Sequence, residues 1–346
     1  MKYTHLGRTG LQVSRLCLGT MNWGPRTAEK DAFAIMDKAL EEGVTYFDTA
    51  NVYGGRGPAP EHTGWTEEII GRWFAQGGGR RESVVLATKV YGGMDDPLDG
   101  PNAGSGLSAY KIRRHLESSL RRLQTDHVEI YQMHHVERHA PWDELWGAFE
   151  SVVDAGKAVY IGSSNFGARH LCYAQFEAEK RHFLGLVSEQ HKYNLLCRLP
   201  ELELLPAAAD LGLGVIAWSP LNGGLLTGTA LAAPADPRTP PTTGAASRTP
   251  GKSRSEFAGG NMTAPQRDQL TRYAALCREL GESEADVALA WVLSNPAITA
   301  PIIGPRTLDQ FTGALHVADI VLSQDTLAKL DEIFPGPGGK SPEAYA

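Results

Sequence analysis

The chain has 346 residues, a net charge of −7 at pH 7, and 42% hydrophobic against 21% charged residues. That length holds one large α/β barrel or two modest domains, and the composition is that of a water-soluble globular enzyme, not a disordered or membrane chain. The acidic balance argues against a general attraction to nucleic acid or anionic lipid, and no apolar run approaches the roughly 20 residues that span a bilayer.

The start, Met1-Lys2-Tyr3-Thr4-His5, is polar and has no apolar leader core. Tyr3–Leu6 and Leu11–Val13 read as a hairpin around the turn Gly7-Arg8-Thr9-Gly10. Short apolar runs then alternate with longer amphipathic ones. Strands are predicted at 16–18, 46–48, 84–88, 128–132, 159–162, 186–190, 214–218 and 302–303. Helices are predicted at 28–41, 67–74, 108–123, 142–155, 168–180, 201–209, 265–280 and 308–315, with one more at 282–294 before the eighth strand. Ile112, Leu116, Leu120 and Leu123 share one helical face, and Ser108 is placed to cap that helix. Eight strand–helix alternations without a mid-chain linker favour a closed (β/α)8 barrel, a TIM barrel, in a single domain over residues 1–346. Two stretches break the rhythm. Residues 229–260 are rich in Pro, Thr, Ala, Gly and Ser and read as a mobile or disordered loop; residues 335–346 read as a C-terminal tail. The four cysteines, Cys17, Cys172, Cys197 and Cys277, form no C-x-x-C pair, a reduced, cytoplasmic pattern.

Polar residues stand where four predicted strands end: Asp48-Thr49-Ala50-Asn51-Val52-Tyr53-Gly54 after the second, Ala87-Thr88-Lys89 at the third, Gln132-Met133-His134-His135 at the fourth and Gly162-Ser163-Ser164-Asn165-Phe166 at the fifth. In a parallel barrel these ends share one rim. An Asp, a Tyr, a Lys and a His gathered there suit proton transfer, and no carboxylate completes a metal-ligand spacing with His134, His135 or His139.

D-T-A-x-x-Y-G, A-T-K-V, Y-Q-M-H and G-S-S-N-F, followed by S-E-Q-x-x-Y-N at Ser188–Asn194, A-W-S-P-L at Ala217–Leu221 and I-I-G-P-R-T at Ile302–Thr307, resemble the aldo-keto reductase family. The likeness runs from Tyr3 to about Phe334. The segment Gly71–Glu82, with Gln132–His135 and Ala140–Glu144, is similar to a branch holding dTDP-4-keto-6-deoxyhexose 2,3-reductases and related oxidoreductases. The resemblance implies hydride transfer from NADP(H) to a carbonyl, with Tyr53 as proton donor, Lys89 as its tuner, Asp48 as the partner of Lys89, and His134 orienting the carbonyl oxygen. The physics is consistent: an ammonium about 4 Å from a phenol, at an effective dielectric near 20, is worth on the order of 4 kcal/mol, roughly three pKa units toward phenolate.

The resemblance also implies a cofactor site. Gly19, Thr20 and Asp48 would border it, Ser164, Asn165 and Gln190 would bond the carboxamide, and Trp218 would stack on the nicotinamide. Ser219, Pro220, Leu221, Gly223 and Gly224 would follow the pyrophosphate; Gly304, Arg306 and Gln310 would grip the adenosine end. A guanidinium at 306 matches a 2′-phosphate, hence NADP over NAD. Three positions depart from the pattern: Gly313 and Ala314 replace a usual Glu and Asn, and Thr229 replaces a usual basic residue, with Arg254 a possible substitute. Expected pocket walls are Trp23, Tyr91, Met94, His135 and Trp142, the last reading equally as the inward-packing start of the fourth helix, with loops 54–64 and 92–106 setting specificity.

Rival readings are weaker. Gly212–Ala217 fits G-x-G-x-x-A, yet its glycines precede a strand instead of following one. A glycosidase barrel needs two carboxylates across a pocket, and only Asp48 is so placed. A cofactor-binding interaction protein resembling potassium-channel β-subunits is the main alternative. The expected partner is a small carbonyl substrate, with no nucleic acid and no membrane; nothing specifies an oligomeric state. Asn261-Met262-Thr263 matches a glycosylation sequon without any sign of secretion.

Overall fold

A strand with apolar side chains on both faces must bury one face under helices and the other against facing strands, and eight parallel strands do both by closing on themselves. A computed structural model, describing residues 1–55, 62–94, 96–232, 262–341 and 343–345, has this closure. Strands β1 (Tyr3–His5) and β2 (Gln12–Ser14) form an antiparallel hairpin. The barrel runs β3 (Cys17–Gly19), β4 (Tyr46–Asp48), β5 (Val85–Val90), β6 (Val128–Met133), β7 (Ala158–Ser164), β8 (Leu186–Lys192), β9 (Gly214–Trp218) and β10 (Ile298–Ile303). It closes where Ile302 and Ile303 of β10 pair with Cys17 and Leu18 of β3. Helices α1 (Glu29–Glu41), α2 (Trp65–Phe74), α3 (Ala109–Leu123), α4 (Trp142–Asp154), α5 (Ala168–Glu179) and α6 (Leu204–Asp210) follow the first six barrel strands in turn. After β9 come α7 (Thr229–Ala232), α8 (Ala264–Leu280) and α9 (Glu284–Ser294); after β10 come α10 (Leu308–Ala314) and α11 (Gln324–Ile333).

Leu6 and Val13 of the hairpin are buried with Cys17, Tyr46, Ala87, Ile130, Val187, Ile216 and Ala300, so the hairpin plugs the N-terminal end of the barrel. Its turn explains the misleading glycines. Gly7 has φ +55°, and a Cβ there would lie 2.4 Å from the Gly212 carbonyl oxygen and 2.5 Å from the Gly214 amide. Gly212 and Gly214 let a turn seat under β9.

Most boundaries shift by a residue or two from the sequence reading, and three differences are larger. β10 starts at Ile298, because Pro301, which hides the strand, sits just past a register irregularity between Ile298 and Ala300 where a lost N–H is tolerated. The segment 201–209 divides into a 3-10 turn at Leu199–Glu201 and α6, with Glu203 (φ −138°, ψ −38°) outside helical geometry at the join. Helix α11 was not anticipated; Ser323 caps it by accepting from the Thr326 amide, and it buries Thr326, Leu330 and Ile333. Of the region 229–260, Thr229–Ala232 is helical and the remainder, with Arg254, lies outside the described residues, as do Asn261 of the sequon and residues 56–61 of the 54–64 loop. In the tail, the Ser341 amide donates to the Leu202 carbonyl at 2.8 Å. Among the described residues no helix is long and apolar enough to cross a membrane.

A buried charge ties α2 and α3 to the barrel. Glu67 of α2, fully buried, accepts from Arg122 Nε of α3 at 2.8 Å and from Thr88 Oγ1 of β5 at 2.6 Å. Arg122→Leu strands that carboxylate, and a loss of about 3–5 kcal/mol in denaturant unfolding is expected. The double variant Arg122→Leu/Glu67→Gln should recover most of it; equal instability of the two would assign the loss to arginine packing.

Candidate active site

Side chains alternate along a strand, so β4, β5, β6 and β8 each aim one polar residue into the upper barrel: Asp48, Lys89, Gln132 and Gln190. Lys89 Nζ donates to Asp48 Oδ2 at 2.6 Å, to the Thr49 carbonyl at 2.9 Å and to Tyr53 OH at 3.1 Å. Its three donor positions are thereby directed at three acceptors. Lys89 is fully buried and Asp48 is 2% exposed. Burial works to lower the Lys89 pKa, but Asp48 and Tyr53 outweigh it and hold the ammonium above the ordinary lysine value. Asp48 is fixed on its other oxygen: Oδ1 accepts from Gln132 Nε2 at 3.1 Å and Gln190 Nε2 at 2.7 Å.

Tyr53 reaches the rim from the turn after β4, where its amide donates to the Ala50 carbonyl. The His134 amide donates to the Val90 carbonyl, which extends the β5–β6 ladder by one residue and sets the imidazole beside the phenol. The two rings stand 5.9 Å apart at 81°. His135 stacks on His134 at 5.0 Å, Tyr91 meets His135 at 5.2 Å, and Met94 packs on Ala50, Val52 and Tyr53. Asp48, Tyr53, Lys89, His134, His135, Tyr91 and Met94 therefore come together. Trp23 is fully buried in the main core, its indole Nε1 without a hydrogen-bond partner among the described residues. Trp142 opens α4 and stacks on Trp146 at 5.6 Å, with Phe166 and Tyr173 at its edges, so its ring lies in the helical layer.

A second set lines the neighbouring strand ends. Asn165, in the left-handed region at φ +63°, donates to the His134 carbonyl and to Ser164 Oγ, and its Oδ1 accepts from Trp218 Nε1 at 3.2 Å. Ser164 Oγ in turn donates to the Gln190 carbonyl. The half-buried Trp218 indole is thus held in one orientation, with Lys192 Nζ 6.0 Å from its ring centre. Beyond it Ser219 (φ +55°), Asn222 (φ +46°), Gly223 (φ +70°) and Gly224 (φ +100°) form a loop of left-handed residues between β9 and α7. Such a run turns backbone amides toward one side at little steric cost for glycine. Thr20 Oγ1 donates to the Asp48 carbonyl, and a Cβ on Gly19 would collide with Ile302 at 2.3 Å. Asn22 Nδ2 donates to the Gly304 carbonyl. Arg306 and Gln310 are exposed at the start of α10, where Gln310 Oε1 accepts from the Arg306 amide at 2.9 Å. Gly313 is exposed with open space where a side chain would stand. A flat ring fixed at a barrel rim, a glycine loop beside it and an exposed guanidinium farther on fit an extended anionic dinucleotide.

Gln132 is the partner that sequence reasoning overlooked, although it stands two residues before His134 on the same strand face. Asn51 and Val52 are the unspecified positions of D-T-A-x-x-Y-G, to which sequence reasoning gave no role.

Residues 15–334 match the family model described as the aldo/keto reductase family. The chain is 60% identical, over the full length of both proteins, to a protein of Bacillus subtilis (strain 168) called uncharacterized oxidoreductase YrpG. It is 32% identical to a probable voltage-gated potassium channel subunit beta of Oryza sativa subsp. japonica, covering 96% of each chain. It is 30% identical to the versiconal hemiacetal acetate reductase of Aspergillus parasiticus, covering 96% of this chain and 97% of that one.

Proposed function

The chain belongs to the aldo/keto reductase family, and from that premise we propose that it is an NADPH-dependent carbonyl reductase of the cytoplasm with Tyr53 as its proton donor. The observation that carries the reading is the buried ammonium of Lys89, bonded at once to Tyr53 OH at 3.1 Å and Asp48 Oδ2 at 2.6 Å. When bound, the nicotinamide supplies a hydride to the carbonyl carbon. Trp218 would pack on its ring, Ser164, Asn165 and Gln190 would hold its carboxamide, the loop of Ser219, Pro220, Leu221, Gly223 and Gly224 would receive the diphosphate, and Gly304, Arg306 and Gln310 would take the adenosine end. Arg306 favours the 2′-phosphate of NADPH.

The chain's own part is the proton. Tyr53 OH gives it to the carbonyl oxygen, and the charge left on the phenolate sits against Lys89, whose ammonium Asp48 keeps in place. His134 donates a hydrogen bond to the same oxygen and fixes which face the carbonyl presents. The substrate is an aldehyde, ketone or keto-sugar held against Tyr91, Met94 and His135.

A second reading, a cofactor-binding interaction protein, is favoured by the likeness to the rice potassium channel subunit. One assay separates the two. NADPH oxidation with a panel of aldehydes that includes nitrobenzaldehyde should proceed steadily, and more slowly with NADH. Tight NADPH binding without turnover on any carbonyl would favour the interaction protein.

A further inference from the structure

Three side chains outside the tetrad join the Tyr53 segment to the loop after β5. Asn51 Nδ2 lies 3.3 Å from His115 Nδ1, and His115 Nε2 lies 3.0 Å from Asp99 Oδ2. Asn51 stands in the turn two residues before Tyr53, His115 on α3, and Asp99 in a 3-10 helix, Pro97–Asn102, within the loop. All three are at least 97% buried. Arg114 Nε binds the other oxygen of Asp99 and Arg114 Nη2 reaches Asp96, so the carboxylate is held at both ends.

The chemistry of the partners orders the protons. An amide NH2 only donates, so His115 Nδ1 accepts; a carboxylate only accepts, so Nε2 carries the ring's proton. Burial lowers the His115 pKa from its ordinary value against the pull of Asp99, and Lys111 and Arg122 act with burial. The neutral ring is therefore the one that completes the chain.

The loop so anchored also makes the substrate side of the rim. A Cβ on Gly92 would lie 2.3 Å from Val52 Cγ1, and Met94 rests on Ala50, Val52 and Tyr53. The Gly106 amide returns to the Tyr91 carbonyl at 2.9 Å, and Tyr91 meets His135. We propose that His115 is a positioning residue which, through Asn51 and Asp99, sets the gap between the Tyr53 segment and the loop bearing Tyr91 and Met94, and thereby the room for substrate. The substrate part of this rests on the reductase reading; the structural link does not.

Glutamine offers one donor and one acceptor, as neutral histidine does, whereas leucine offers neither. His115→Leu, which removes both hydrogen bonds, should raise KM for bulky carbonyls about tenfold, with kcat nearly unchanged. His115→Gln should recover most of that. Without substrate or cofactor, amide hydrogen exchange over residues 96–106 should quicken in the leucine variant and stay near wild type in the glutamine variant. Nitrogen NMR of the wild-type protein should show His115 protonated at Nε2 alone. An Nδ1-protonated ring, a glutamine variant whose loop exchanges as fast as that of the leucine variant, or an unchanged KM with slow exchange in the leucine variant would each overturn the proposal. Should His115→Leu fail to fold, the ring proton and the glutamine variant still decide. A wild-type protein that reduces no carbonyl would sink the reductase reading alone, and the exchange and NMR results would still decide the link.

Discussion

Tyr53→Phe is expected to lower kcat by about 10³-fold, within the range general acid catalysis supplies, while Kd for NADPH changes little. The substitution removes one oxygen and keeps the ring that packs with Met94 and stands beside His134. Lys89 loses a partner at 3.1 Å but retains Asp48 and the Thr49 carbonyl, so its charge stays compensated. Stability should fall by only about 1 kcal/mol, the net worth of a hydrogen bond. Steady-state kinetics and fluorescence titration with NADPH separate the two quantities. A parallel fall of turnover and cofactor affinity would assign Tyr53 to the architecture of the rim instead of the chemistry.

Lys89→Met has the larger combined effect, because the same ammonium serves the reaction and the fold. Without it Asp48, 2% exposed, keeps its two glutamine donors but loses the cation it is paired with, and removal of one member of a buried pair costs about 3–5 kcal/mol. Turnover should drop about 10²- to 10⁴-fold, since the phenol loses the charge that favours its ionised form. Lys89→Met/Asp48→Asn should regain most of the stability and none of the activity. Recovery of activity in the double variant would show that the lysine acts only to satisfy Asp48. The pH dependence follows from the direction of the shift. The folded pKa of Lys89 is raised, so its contribution to stability is fully present below the unfolded value of about 10.4 and is lost as pH rises through the folded value above it. An alkaline unfolding limb present in the wild type should therefore be weaker in the double variant.

The barrel was legible in the sequence because strand and helix differ in period. The runs that end in Asp48 and Trp218 were bounded to the residue, and Ser108 caps α3 as read, accepting from the Lys111 amide. What escaped has physical causes. β10 is partly masked by Pro301, whose missing N–H argues against a strand until the neighbouring register shift is seen. Helix α11 carries its signal in only three buried positions, Thr326, Leu330 and Ile333, too short a stripe to stand out. Asp48 and Lys89 stand out at or near the ends of apolar runs, whereas Tyr53 and His134 were singled out by the family-like motifs D-T-A-x-x-Y-G and Y-Q-M-H. Gln132 could not be singled out, since a glutamine within a strand is ordinary until Asp48 is seen across the barrel. Asn51, Asp99 and His115 are still harder: they lie 16 to 64 positions apart, and only the fold makes neighbours of them. Trp142 reads in sequence equally as a pocket wall or as the inward-packing start of the fourth helix, and at the first position of α4 its ring lies against Trp146 and Phe166.

The central claim is that one carbonyl oxygen is served by the phenol that Lys89 charges. A crystal structure with NADP+ and an unreactive carbonyl analogue tests it most directly. Tyr53 OH should lie within hydrogen-bond reach of the analogue's oxygen, about 2.6–3.2 Å, with Lys89 still on the phenol and the nicotinamide against Trp218. An analogue oxygen bound elsewhere, or a nicotinamide whose reactive face turns from Tyr53, would contradict the account.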